Sequence, residues 1–509
     1  SHEQSRVFQR PKQGVRKVVV STNVAETSIT IDDCVFVIDS GKMKEMRYDP
    51  YNRMSMLVET WVSKANARQR RGRAGRVRPG HCLRLFRKDQ LAAFPAHQSP
   101  EIHRVPLERL CLQVLYLEFG QPKEFLGQVI EPPTMPSIVS AVKHLRGLRA
   151  FDGLGKGMNR LTPLGFHLAS MPVDAQVGKM LIYGAILRCP SQILTIAAAM
   201  CTRSPFLQRN ESADAAKAKF GAQLMSDHIA LLRAFDGYKD CEGERSRRAF
   251  CEEHGLHAEG MRQIKDLRGQ LALALKDAGF VDGNEMKKLL FKKGWEADAD
   301  EETQMDYNVL KAALCAGMYP NVARVQLPEK RYQEVSGGAF EKNQEAKAVK
   351  LFCKQSSAET TQDPAGGRGK ESGPAQDTPK KKHEFDDQRV FLHPSSVLYK
   401  QGTAHYKVPW LVYFQKVQTS KVFLRDATMV PAYALLMFGG KIDIMHEHSK
   451  LVLDGWMYFD APARVGVLVR ELRKALDELL VRKILQPRLT LSDSLVVDAM
   501  LTLLRTNGM

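Results

Sequence analysis

The sequence predicts a multidomain fold: an α/β lobe, a winged-helix-sized unit, a helical bundle and a small β-barrel, in that order. Three observations lead there. At 509 residues the chain is too long for one hydrophobic core, and domain sizes suggest about three to five domains. Its apolar residues change period along the chain, from short continuous runs to helical spacing and then to strand-like runs. One long polar segment, 354–388, interrupts the last of these stretches.

Residues 1–100 alternate strand and helix signals. Val18-Val19-Val20, Val35-Phe36-Val37-Ile38 and Cys82-Leu83-Arg84-Leu85-Phe86 are short apolar runs bounded by polar residues, which suits buried parallel strands. From 105 onward Leu107, Leu110, Cys111, Val114 and Leu115 fall on one helical face. Ile138, Ala141, Val142 and Leu145 repeat that spacing, with Gly147 as a C-cap, and Thr162-Pro163 reads as N-cap and first residue of a further helix. Helices with a short strand pair suit a winged helix; a plain bundle would read similarly. Residues 176–300 are mostly helical, and Met261, Ile264, Leu267, Leu271 and Leu275 form a core-facing stripe that Gly279 ends. Trp410 to Phe414 and Val422-Phe423-Leu424 are strands joined across Gln418-Thr419-Ser420, and this spacing suggests a small barrel. The 354–388 segment has no large apolar residue before Phe385, so it is expected to be a disordered loop. Its Pro379-Lys380-Lys381-Lys382 run is a nuclear-signal candidate or simply solvated charge.

The net charge of +18 favours a polyanionic partner through phosphate neutralisation, against the plainer reading of a generally basic surface. No apolar run approaches the ~18–20 residues of a membrane span. Nine scattered cysteines, without CxxC pairs or zinc-ligand spacing, fit a reducing compartment, cytoplasmic or nuclear, and predict no metal site. The opening Ser1-His2-Glu3-Gln4-Ser5 lacks an initiator Met and an apolar signal core, so part of a longer polypeptide is expected.

Two segments carry most of the chemistry. Gln69-Arg70-Arg71-Gly72-Arg73-Ala74-Gly75-Arg76 is arginine-dense, and Arg73 and Arg76 stand three apart, as on one helical face. Two guanidinium groups there can clamp a phosphate, and small residues between them allow close approach. A basic surface helix is the alternative. Ser21-Thr22-Asn23-Val24-Ala25-Glu26-Thr27-Ser28-Ile29-Thr30-Ile31-Asp32 follows an apolar run, where a ligand-carrying loop belongs. Its backbone amides, hydroxyls and the Asn23 amide suit a phosphate; a turn capped by Asn and Thr is the alternative.

Together these segments resemble motifs VI and V of the DEAH/RHA-box RNA helicases, and the QRxGRAGR pattern is matched in full. The resemblance implies that Arg73 and Arg76 are arginine fingers reaching ATP, and that Gln69 holds the attacking water. It implies that Thr22 and Asn23 touch the RNA backbone, while Ser28, Thr30 and Asp32 couple to the nucleotide, the last through the ribose. Phe8 matches an aromatic that stacks on adenine, against an ordinary core Phe. Lys42 and Lys44, in Ser40-Gly41-Lys42-Met43-Lys44, match a hook-shaped turn near RNA phosphates, against solvated lysines.

The likeness runs nearly end to end. Pro106 to Gln113 resembles the junction into a winged helix, Leu161 to Ala169 its end, and Ser204-Pro205-Phe206 the start of a ratchet region. Gly317 to Val322 and His393 to Val397 resemble an OB-fold. The resemblance divides the chain into a second RecA-like lobe (1–105, N-terminally truncated), a winged helix (106–175), a helical ratchet-like domain (176–305), an OB-fold β-barrel (306–440, with the insert 354–388) and an α+β C-terminal extension (441–509). It implies ATP and Mg²⁺ as cofactors, single-stranded RNA as partner, 3′-to-5′ movement, and G-patch-type activator proteins.

The departure is large. No GxxxxGK[ST] and no DEAH-type acidic box occurs, and Gly366-Gly367-Arg368-Gly369-Lys370 has neither the spacing nor the hydroxyl. The P-loop lysine and the Mg²⁺-binding acids belong to the family's first lobe. This polypeptide alone is therefore expected not to hydrolyse ATP. A non-catalytic RNA-binding or scaffold protein is the alternative.

Overall fold

The computed structural model describes all residues except 1–5, 28–30, 51–53, 76–78, 154–157, 208–210, 292–300, 330–331, 336–337, 342–343, 355–386, 419–420, 447–448, 487–488, 492–493 and 508–509. The chain divides into two compact units. One is Ser1–Asp49, Ser55–Pro106 and Ile130–Thr134; the other is the remainder.

In the first unit, β1 (Phe36–Asp39) and β4 (His81–Arg84) pair in parallel, with Phe36 opposite His81 and Asp39 opposite Arg84. Between them in sequence, β2 (Lys42–Asp49) and β3 (Met54–Trp61) are neighbours in a second ladder. Met43, Val62, Ala67 and Phe94 form the small core, joined by Phe86 and Leu91. The expected strand at Val18–Val20 does not form. These valines have no ladder partner among the described residues and are 84%, 38% and 95% exposed. An apolar run becomes a strand only where a neighbouring edge offers N–H and C=O groups.

In the second unit the expected helices at Glu108–Tyr116 and Met135–Gly147 form, with Cys111, Val114, Ile138, Ala141 and Leu145 buried. A short antiparallel pair follows, β5 (Phe151–Gly153) with β6 (Asn159–Leu161). Thr162 then caps the helix Pro163–Ser170, its Oγ1 accepting from Gly165 N at 2.9 Å. The helix Ala258–Asp277 buries Met261, Ile264, Leu271 and Leu275. It ends in a Schellman turn, with Gly279 N donating to Lys276 O at 2.8 Å and Phe280 N to Leu275 O at 2.9 Å.

The barrel consists of five strands: β7 (Val322–Gln326), β10 (Lys350–Lys354), β11 (Asp387–Leu392), β12 (Trp410–Gln418) and β13 (Val422–Met429). They run in the order β13-β11-β10-β7-β12, and β12 closes back on β13. A hairpin of β8 (Tyr332–Val335) and β9 (Gly338–Glu341) lies between β7 and β10 in sequence. Lys354, Asp387 and Gln388 sit in ladder pairs, so the polar segment starts and ends inside 354–388; residues 355–386, with the Pro379–Lys382 run, lie outside the described residues.

The barrel is tied to the helical region by Asp227, which is fully buried. Its carboxylate accepts from Val397 N at 2.8 Å, Ala427 N at 3.0 Å and Ser396 Oγ at 2.7 Å, with Lys217 Nζ at 3.2 Å. Burial opposes that charge, but Lys217 and the donors outweigh it and hold the carboxyl below its usual range. A three-stranded sheet, β14 (Ile442–Met445), β15 (Lys450–Leu453) and β16 (Met457–Asp460), precedes the helices Ala463–Leu485 and Leu495–Thr506.

Candidate nucleotide and nucleic-acid site

The helix carrying the arginine-dense segment starts at a reciprocal cap. Asn66 N donates to Ser63 Oγ at 3.1 Å, and Ser63 N donates to Asn66 Oδ1 at 3.3 Å. Asn66 thereby turns its amide nitrogen to Glu26 Oε1. One turn further along, Arg70 donates from Nε to Glu26 Oε2 at 2.9 Å and from Nη1 to Asp39 Oδ1 at 2.9 Å and Lys42 O at 3.1 Å. Glu26 belongs to the first motif and Arg70 to the second. Burial works against the Arg70 charge, but Glu26 and Asp39 prevail and raise its pKa above the ordinary arginine value. Asp39 Oδ1 also accepts from Gly41 N at 2.9 Å, which fixes the turn into β2. Gly41 has φ +71°, where a side chain would be strained and would strike the Phe86 ring.

This lock leaves other motif residues facing outward. Gln69 is exposed. The α-helix ends at Arg71, so Arg73 sits in the following 3-10 turn, Gly72–Ala74, and not on a continuing helical face. Arg73 Nε donates to Gln69 O at 3.4 Å, and its Nη1 is buried without a hydrogen-bond partner among the described residues. A phosphate oxygen would satisfy such a nitrogen. A Cβ at Gly72 or Gly75 would meet nothing within 4 Å, so this face is open. Gly80 is the opposite case: a Cβ there would lie 1.8 Å from Ala74 O, so only glycine lets the turn pack on the strand that follows. Arg76, Ser28 and Thr30 lie outside the described residues.

Thr22 and Asn23 are exposed, at the start of the four-residue helix Val24–Thr27. Thr22 Oγ1 accepts from Val24 N at 3.5 Å, a weak cap. Phe8 is 61% exposed, so it is not a core residue, and Asp32 is exposed too. Lys17 links their neighbourhoods, donating to Val7 O at 3.0 Å, Gln9 O at 3.1 Å and Asp33 Oδ1 at 2.6 Å. That hydrogen bond holds the Asp33 carboxyl below its usual range. Lys42 Nζ lies 3.7 Å from the Trp61 ring centroid and 3.7 Å from Glu59 Oε1, while Lys44 is exposed on the same face of β2.

A second surface, on the barrel, has no counterpart in the two motifs. Leu351, Cys353, Val390, Leu392 and Leu424 point into the barrel core. The alternate positions point outward and repeat one pattern: Lys350-x-Phe352-x-Lys354, Arg389-x-Phe391-x-His393 and Lys421-x-Phe423-x-Arg425. Register sets Phe391 opposite Phe423, and Phe352 opposite both Arg389 and Arg324. The Phe391 and Phe423 ring centroids are 6.3 Å apart, and Lys421 Nζ stands 4.6 Å from the Phe391 centroid. Aromatic faces among cations suit stacked bases and a phosphate backbone.

Four family profiles match the chain. The helicase conserved C-terminal domain covers residues 1–78, and the ratchet-like helicase-associated domain (HA2) covers 174–231. The oligonucleotide/oligosaccharide-binding (OB) fold covers 310–442, and the C-terminal domain in RNA helicases covers 449–506. Among curated relatives, the Homo sapiens ATP-dependent DNA/RNA helicase DHX36 is 37% identical over 95% of this chain and 43% of its own length. The Arabidopsis thaliana DExH-box ATP-dependent RNA helicase DExH1 is 38% identical over 99% of this chain and 45% of its own. The chain belongs to the DEAH/RHA-box RNA helicase family. The Mus musculus ATP-dependent RNA helicase DHX29 is 36% identical over the whole chain and 34% of its own length. The chain thus spans less than half the length of these relatives.

Within this chain, both motifs fall in the C-terminal helicase match and the Phe-bearing strands in the OB-fold match. Sequence reasoning did not find the Glu26–Arg70–Asp39 lock, because its partners are 44 and 31 positions apart. The barrel face did have a signal, the thrice-repeated basic-x-Phe-x-basic spacing.

Proposed function

We propose that this chain is the C-terminal part of an ATP-dependent RNA helicase that moves 3′ to 5′ along single-stranded RNA. In this reading residues 1–105 are a second RecA-like lobe, 106–175 a winged helix, 176–305 the ratchet-like region, 306–440 the OB-fold and 441–509 the extension. Arg73 and Arg76 act on the γ-phosphate, and Gln69 orients the attacking water. Phe8 stacks on adenine, Asp32 accepts from the ribose hydroxyls, and Ser28 and Thr30 couple to the same nucleotide. Thr22, Asn23, Lys42 and Lys44 hold the RNA backbone, and the barrel phenylalanines stack on bases. G-patch-type activators are further partners of this kind of enzyme.

The observation that carries the reading is the Glu26–Arg70–Asp39 lock. It joins the two motifs rigidly while leaving Thr22 and Asn23 exposed and one Arg73 nitrogen without a partner among the described residues. That buried nitrogen, with Phe8 and Asp32 both exposed, fits ATP. Bound ATP supplies the phosphoanhydride whose cleavage drives movement; these residues orient it and bear its charge. No group of three or more His, Cys, Asp or Glu able to hold a metal lies among the described residues, so Mg²⁺ is given no residue here. The sequence has no P-loop lysine, and the chain alone does not turn over ATP.

Fluorescence anisotropy with a single-stranded RNA oligonucleotide tests the RNA half. Binding should be weak and should fall steeply between about 50 and 200 mM salt, as phosphate contacts require. Affinity indifferent to salt would remove the electrostatic account.

A further inference from the structure

A cavity of about 500 Å³ lies in the second unit, away from the two motifs in sequence and bounded by four segments, one of them the turn between β15 and β16 that carries Asp454. The end of the helix Met135–Gly147 gives Arg146 and Arg149, the segment before β14 gives Lys441, and the helix Ala463–Leu485 gives Arg470, Arg473 and Lys474. Asp454 and Asp477 are the acids in its wall. Asp477 pairs with Arg149. Asp454 is taken by the Tyr319 hydroxyl and by Lys441 N at 2.7 Å.

Lys441 Nζ pairs with Asp443 Oδ1 at 2.7 Å, but no carboxylate pairs with Arg470, Arg473 or Lys474 among the described residues. Arg470 donates to Ile442 O, and Arg473 donates to Gly440 O and Leu436 O. These carbonyls accept hydrogen bonds but carry no formal charge. Arg473 is only 9% exposed, and its Nε is buried without a hydrogen-bond partner among the described residues. Lys474 is exposed and forms no ion pair among the described residues. The surroundings register the excess. Burial, and then the Arg149 charge, lower the Arg473 pKa to about 10. Lys179, which is fully buried, is pushed down to about 7 by burial first and by Arg149 and Arg473 after it.

We propose that this cavity binds a phosphate-bearing anion, with the Arg473 guanidinium and the Lys474 ammonium as its principal cations. The volume suits a ligand of nucleotide size, within the roughly 300–1,000 Å³ of small-molecule sites. A buried guanidinium donor with a free ammonium at the rim suits a phosphate group, which accepts several charge-assisted hydrogen bonds. The phosphate belongs either to a nucleic-acid backbone or to a small soluble compound. The site is independent of the motif residues and does not rest on their assignment.

The test uses the whole chain, inorganic pyrophosphate as probe, and calorimetry at constant ionic strength. Wild type should bind. Lys474→Glu, at an exposed position, should keep the wild-type melting temperature and weaken binding about tenfold or more, the size expected for one lost charge-assisted contact. Lys474→Arg should restore binding. If the phosphate belongs to nucleic acid, pyrophosphate displaces a labelled single-stranded RNA, and Lys474→Glu lowers the salt slope of RNA binding by about one. If it belongs to a small compound, pyrophosphate binds without displacing the RNA. No binding by wild type overturns the proposal. So does binding that Lys474→Glu leaves intact and Arg73→Ala abolishes, since the probe would then sit at the second motif.

Discussion

The first unit and the barrel are both built on alternating strands, yet they end differently. In the barrel, Leu351, Cys353, Val390 and Leu424 are at most 4% exposed. In the parallel pair of the first unit, Phe36, Ile38 and Leu83 are 65%, 68% and 56% exposed. The barrel closes on itself through β12 and β13, so each inward residue meets another across the lumen. The described two-stranded pair has no such closure. Order in the first unit rests more on polar links: Arg70 to Glu26 and Asp39, Lys17 to Asp33, and Ser63 with Asn66. A closed apolar core tolerates change on its outer face. A polar lock fails when one partner goes.

Arg70→Ala should give the largest effect on this contrast. It leaves Glu26 and Asp39 without their shared cation, and breaking a buried ion pair costs roughly 3–5 kcal/mol. Thermal unfolding should show the first unit melting earlier while the second keeps its transition. Equal melting of wild type and Arg70→Ala would deny the lock its role.

Where the barrel meets the helical region, a pH effect of up to roughly 3 kcal/mol is expected. Burial lowers the His228 pKa to about 4, below its ordinary value of 6.5. Between those values the unfolded chain binds a proton that the folded chain does not, so His228 costs stability as pH falls from 6.5 towards 4. Asp426, raised to about 6 by burial and by Asp227, acts in the opposite sense over the lower part of that window. The comparison with His228→Gln isolates the histidine: its stability should fall less than wild type on acidification. Parallel pH profiles would contradict the assignment.

On the outer barrel face, Phe391→Ala with Phe423→Ala should weaken single-stranded RNA binding by about 1–3 kcal/mol per lost stack. Melting should move little, since both side chains point away from the core. A large loss of stability with unchanged RNA affinity would make this face structural.

Much of this was legible in the sequence. Helical spacing located Glu108–Tyr116, Met135–Gly147 and Ala258–Asp277, and Thr162-Pro163 gave a helix start to the residue. These signals are local, and local hydrogen bonding fulfils them. Val18–Val20 failed because a strand needs an edge that no local signal specifies. The helical face drawn through Arg73 failed because the helix stops at Arg71 and the chain tightens into a 3-10 turn. In the candidate site, residue types and spacing revealed the motifs but not their joint. Arg70 looked like one more charge in an arginine-dense segment, and Glu26 like one acid in a segment read for its hydroxyls and amides. The barrel's basic-x-Phe-x-basic repeat was readable, but it is spread over 76 positions, from Lys350 to Arg425, and only strand register assembles it into one face.

The proposed division of labour gives the arginine segment to the nucleotide and the loop at Thr22 and Asn23 to the RNA. The most direct test measures ATP turnover and RNA affinity side by side in the proposed full-length helicase. Arg76→Ala should cut turnover by ~10³-fold or more, as loss of an arginine finger does, with RNA affinity little changed. Thr22→Ala with Asn23→Ala should weaken RNA binding and RNA stimulation while basal turnover survives. If Arg76→Ala instead weakened RNA binding and left basal turnover intact, the second motif would be an RNA-binding face and the division would be wrong.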